Sequence, residues 1–152
     1  MNRKASDVKL YNVLFPFWML LLFPAAWLIV LPGNLIIDSL VLLLGLAILK
    51  IPEKKLWYKR HILPIFGFGM LADLVGAGYM LLMVAVLDYG RMGDEPILTV
   101  PALLLSAALI FVLNYFVTFR KADRPLRTRL SVLIAVITAP YTFLIPTAWL
   151  YW

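Results

Sequence analysis

Two carboxylic acids, Asp38 and Asp73, stand inside long runs of apolar residues. A charged group at the centre of a lipid bilayer costs about 2.5–3.5 kcal/mol on insertion scales, so an acid held there calls for a chemical reason. No Lys or Arg shares those runs. Each acid must then be protonated, reached by water, hydrogen-bonded to neutral groups, or bound to a cation supplied from outside. The chemistry that fits is proton or cation binding, for which transporters use mid-membrane polar groups beside broken helices.

Asp73 is the better placed of the two. It lies eleven residues beyond Ile62, where an apolar stretch begins, or ~16 Å along a helix rising 1.5 Å per residue. That is near the midplane of a core ~30 Å thick. Ser106 and Tyr141 reach a similar depth in later stretches, with Thr138 and Thr142 flanking the tyrosine. Pro24 and Pro140 also fall mid-stretch. A helical proline frees the carbonyl four residues earlier, here that of Leu20 or Val136. The expected site is therefore Asp73 as proton or cation ligand, with Ser106 and Tyr141 as hydrogen-bonding neighbours.

Asp38 is a secondary candidate. If its helix starts near Asn34, just after the turn signal Pro32-Gly33-Asn34, the acid sits in a first turn. There the helix dipole favours it for structural reasons. Counted this way, Asp38 and Asp73 lie some 10–15 Å apart in depth, too far for an acid pair in contact.

Other chemistries lack their residues. There is no cysteine and a single histidine, His61, so neither disulfides, cysteine catalysis nor the common zinc sites can be built. No HExxH, nucleophile elbow or phosphate-binding loop is present. The Gly-x-Gly pairs at Gly67-Gly69 and Gly76-Gly78 lie within an apolar stretch. They read as helix-packing positions, with Gly69, Ala72 and Gly76 as a face through which another copy or a membrane partner could approach. No catalytic residue, cofactor or metal site is assigned, and an enzyme is not the expected reading.

The elements that would hold these residues follow from hydropathy. Hydrophobic residues are 64% of the chain and charged residues 14%, against roughly 45–50% and ~25% in soluble domains. Five stretches are long or nearly long enough to cross a bilayer, at about 13–31, 35–49, 62–87, 97–119 and 130–151. The first exceeds the usual hydrophobic length of a signal peptide and reads as uncleaved. The fold expected is an all-α, single-domain transmembrane bundle of five spans.

Charge orients it. Of the 14 basic residues, 13 fall in the N-terminal tail, in the segment Lys50–Arg60 and in the segment Arg120–Arg129. The positive-inside rule puts those segments in the cytoplasm and the C-terminus outside. It also explains the net charge of +6 without nucleic acid. Tyr11, Trp57, Tyr58, Tyr89, Trp149, Tyr151 and Trp152 fall near the expected interfaces, as anchoring aromatics do. The partner this implies is the lipid bilayer, and the expected location is the plasma (cytoplasmic) membrane. Three function classes remain: a small transporter or channel-like protein using Asp73, a structural or accessory subunit with no site of its own, or, least expected, an enzyme with a second titratable group within reach of the first.

Overall fold

The computed structural model describes residues 24–87 and 96–145. These residues form α1 (Pro24–Ile48), α2 (Lys54–Leu87), α3 (Pro96–Leu113), which runs on into a π-helical turn at Asn114–Thr118, then α4 (Arg124–Ile137) and a 3-10 turn at Tyr141–Leu144. There is no strand among the described residues. Three helices are long and apolar enough to cross a membrane: Pro24–Ile48, Lys54–Val86 and Pro96–Thr118. They suggest a membrane location.

The first departure from expectation is at Pro32-Gly33-Asn34. These residues do not make a turn, because α1 passes through them as one helix of 25 residues. No described glycine has positive φ, so Gly33 does not take the left-handed conformation that a tight turn draws from glycine. Proline is tolerated inside a membrane helix because neighbouring groups re-satisfy the backbone it disturbs. The spans expected at 13–31 and 35–49 are therefore one helix over the described residues. The five-span count, and the orientation drawn from it, lose their support. Residues 13–23 of the first span, the polar turn 88–95 and the last residues of the fifth span lie outside the described residues.

The second departure is at the chain's other end. α4 is 14 residues long, ~21 Å at 1.5 Å per residue, which falls short of a ~30 Å core. Pro140 explains the stop, since a proline disfavours helical backbone at the residue before it. The helix closes at Thr138, whose N–H bonds the Ile134 carbonyl, and the chain turns at Ala139 and Pro140. The fifth span is not one continuous helix.

The basic segments, expected as loops, are mostly helix. α2 begins at Lys54 and α4 at Arg124, so the connectors are only 49–53 and 119–123. The first connector is closed by Ile51 N–H to Leu46 carbonyl (3.0 Å) and Lys50 N–H to Ala47 carbonyl (3.2 Å). This is the Schellman pattern, with Lys50 at its left-handed position (φ 51°). Ile51 and Leu46 are both buried in the core beside it, the apolar contact that accompanies the motif.

α1 packs on α2, α2 on α3, α3 on α4, and α4 back on α1. A core around Leu42, Leu46, Ile65, Ile110, Leu130 and Ile134 fills this ring. A smaller one of Ala77, Met80, Ala102 and Phe143 lies under the 3-10 turn. Polarity is inverted relative to a protein in water. Asp38, Asp73, Ser106, Asn114 and Ser131 are buried, while Ile36, Leu40, Leu44 and Ile48 form an outward stripe on α1, each at least 50% exposed. Apolar exposure on this scale is unsuited to water and suited to lipid.

Candidate functional site

Continuity of α1 decides the geometry of the acids. Asn34 and Asp38 are residues 11 and 15 of the helix, so they share a face one turn apart. The short connector lays α1 antiparallel to α2, and that face meets α2 at Gly69, Met70 and Asp73. Asn34 Nδ2 donates to Asp73 Oδ2 at 3.0 Å and lies 3.4 Å from Met70 Sδ. One turn along, a Cβ at Gly69 would stand 3.5 Å from Asp38 Oδ2. The second carboxylate thus lies against α2, at a distance that a Cβ at position 69 would meet as ordinary van der Waals contact. Asp38 and Asp73 occupy one seam, about one helical turn (~5–6 Å) apart along the axis, closer than the separation expected from the sequence.

Both acids are buried, Asp38 at 4% and Asp73 at 7% exposure. Asp73 Oδ1 is buried and has no hydrogen-bond partner among the described residues. Neither α1 nor the part of α2 beyond Arg60 contains a Lys or Arg, so no cation on the two helices faces the pair. Among the described residues no three His, Asp or Glu side chains converge, leaving the pair without a third acidic ligand.

Ser106 is on the adjacent seam. It is fully buried in α3, and its hydroxyl donates to the Ala72 carbonyl at 2.9 Å, next in sequence to Asp73. Gly76, one turn further on α2, is closed over by Ser106 Oγ and by Phe143, whose ring would come within 2.6 Å of a Cβ there. Gly69, Ala72 and Gly76 are all buried; within the chain Ala72 and Gly76 admit Ser106 and Phe143 to the surface of α2, and Gly69 faces Asp38.

Tyr141 is not brought to the pair. It lies in the 3-10 turn with 49% of its surface exposed, and its hydroxyl donates to the Val136 carbonyl. Its ring lines an apolar groove with Leu104, Ala107 and Val132 on the α3–α4 side. That carbonyl is the one Pro140 leaves without its helical donor, so the tyrosine completes the helix end. Asp73 and Ser106 flank α2, while Tyr141 stands apart with Thr138, whose hydroxyl bonds the Ile134 carbonyl at 2.9 Å. Pro24 is the first described residue of α1, and Leu20 lies outside the described residues.

The residue that the sequence reading missed is Asn34, taken there for a turn residue. A signal was present: Asn34 and Asp38 are four apart, as are Gly69 and Asp73. That match acquires meaning only once residues 24–48 are read as one helix. Compared with protein-family models, with curated proteins and with solved structures, the chain matches none.

Proposed function

We propose that the protein is an integral membrane protein in which Asp38, Asp73 and Asn34 form a proton-binding site, serving a small transporter or channel-like activity. The observation that carries this reading is the placement of two buried acids in one helix seam, with a single amide as partner. Buried carboxylates without a facing cation must be neutralised, and one proton on each acid does this with the least space. A small cation is the other neutralising ligand. Asn34 can follow the change, because its amide donates to a carboxylate and its carbonyl oxygen accepts from a carboxylic acid. Intramembrane acids of this kind belong to proton relays and ion pathways.

The test is reconstitution into vesicles holding a pH-sensitive dye under an imposed proton gradient. Protein-dependent proton flux that falls about tenfold or more in Asp73→Asn, and also falls in Asp38→Asn, supports the site. Flux equal to that of empty vesicles, or unchanged in both variants, sinks it.

One observation favours a second reading, an accessory subunit without transport. The neighbouring face of α2 is closed by Ser106 and Phe143, and Asp73 is only 7% exposed. A neutral, hydrogen-bonded seam would then serve helix packing alone. That reading expects no flux in the assay above, and Asp73→Asn as stable as the parent chain.

A further inference from the structure

The end of the bundle that carries the two connectors holds a cavity of about 320 Å³ between the start of α2 and the end of α3. Its wall includes Arg60, Arg120 and Lys121, and no acid lines it. Arg127, by contrast, is committed to Tyr115, with 3.0 Å from its guanidinium to the hydroxyl and 4.1 Å to the ring centre. No ion pair or hydrogen bond among the described residues occupies the side chains of Arg60, Arg120 or Lys121. Three cations facing one concavity repel each other, so the arrangement costs free energy unless an anion joins them.

One polar group adds a donor. Thr118 lines the cavity, and its Oγ1 is buried without a partner. The π-helical turn accounts for this. A helical threonine commonly bonds the carbonyl four residues back, but the Asn114 carbonyl accepts the Phe119 N–H at 2.9 Å instead. His61 is held by stacking on Trp57, with centroids 4.7 Å apart, and its Nδ1 lies 2.8 Å from the Trp57 carbonyl. A carbonyl only accepts, so Nδ1 carries the proton; Nε2 of the neutral ring is then an acceptor, and His61 shapes the wall without donating to an anion. Apolar Leu56 and Val117, 60% and 48% exposed, continue the cavity wall onto the outer surface.

We infer that this cavity binds a phosphoryl anion, and that its source is the headgroup of an anionic phospholipid. Guanidinium groups present forked donors matched to phosphate oxygens. Basic pockets between membrane helices, on the side that carries the positive charge, hold such headgroups. A soluble phosphate would use the basic wall alone. The apolar flank at Leu56 and Val117 is explained by acyl chains lying against the helices below the headgroup.

The inference rests on the membrane reading but not on the acid pair. Its test is native mass spectrometry of the purified chain in detergent with phosphatidylglycerol, phosphatidylcholine or inorganic phosphate. Phosphatidylglycerol should bind, phosphatidylcholine should not, and millimolar phosphate should leave the bound lipid in place. Arg60 and Arg120 are exposed, so R60Q/R120Q keeps the core. At ~1 kcal/mol per basic residue, or about fivefold each, it should lower lipid binding on the order of 25-fold. K54Q/K55Q removes the same charge from the same end outside the cavity and should change binding less than about twofold. Equal loss in both double variants, or binding of both lipids alike, overturns the cavity as a site. Displacement by inorganic phosphate overturns the lipid as its source. Flotation with vesicles is read beside these results: a chain that floats but binds no anionic lipid fails here alone, and one that does not float removes the membrane reading as well.

Discussion

Asn34 Nδ2 donates to Asp73 Oδ2 at 3.0 Å across the seam between α1 and α2. Among the described residues it is the one side-chain hydrogen bond to that buried carboxylate, whose second oxygen has no partner there. Removing the amide should therefore cost more than an exposed hydrogen bond would. Asn34→Ala is expected to destabilise the protein by about 1–3 kcal/mol, the cost of leaving a buried polar group unsatisfied. In Asp73→Asn the same truncation should cost less, because the group left behind is then a neutral amide. A double-mutant cycle on thermal unfolding in detergent measures the difference; additive effects would mean that the two side chains are not coupled.

Gly76 and Gly78 should respond in opposite directions to alanine. At Gly76 a methyl group collides with the Phe143 ring and with Ser106 Oγ, whereas at Gly78 it meets nothing within 4 Å. Gly76→Ala is expected to destabilise by about 1–3 kcal/mol through overpacking. Gly78→Ala should be neutral or stabilise by up to ~1 kcal/mol through helix propensity. Melting temperatures of the two variants in one detergent decide it, and equal shifts would contradict the packing described.

Ser106→Ala removes a bond to the Ala72 carbonyl at a fully buried position. Interhelical hydrogen bonds in membrane proteins average ~0.6 kcal/mol, so the expected loss is about 0.5–1 kcal/mol. If Ser106 only packs beside the acid pair, proton flux should survive this change while Asp73→Asn abolishes it. A flux loss as deep as that of Asp73→Asn would give Ser106 a direct part in the proton path.

Lys50 holds a left-handed backbone position, φ 51°, at the end of α1. That conformation costs a residue with a side chain roughly 1–2 kcal/mol, and glycine is the usual occupant. Lys50→Gly should raise stability by up to ~1 kcal/mol, read as an increase in melting temperature. A decrease would show that the lysine side chain contributes more than its strained backbone costs.

The helices could be read from hydropathy alone in α2 and α3, where the apolar runs carry on through Pro64 and Pro101. The reading went wrong where proline and glycine carried the decision. At Pro32-Gly33 the local signal is a turn, yet the helix continues. At Pro140 a proline within a continuing span was expected to free the Val136 carbonyl, yet the helix stops and Tyr141 takes up that carbonyl. The two prolines thus act differently. Local sequence cannot separate them, because the outcome depends on which neighbours re-satisfy the freed backbone groups.

From the residues alone came the inverted economy of polarity: a chain of 64% hydrophobic residues with basic clusters and an acid, Asp73, deep in an apolar run without a cation beside it. Those are properties of composition and one-dimensional spacing, and they set the solvent the helices suit. The partner of that acid was decided only by tertiary structure. Once α1 runs unbroken, its register against α2 places Asn34 on Asp73 and Asp38 on Gly69. Register between packed helices is set by the whole interface, which no single stretch of sequence contains.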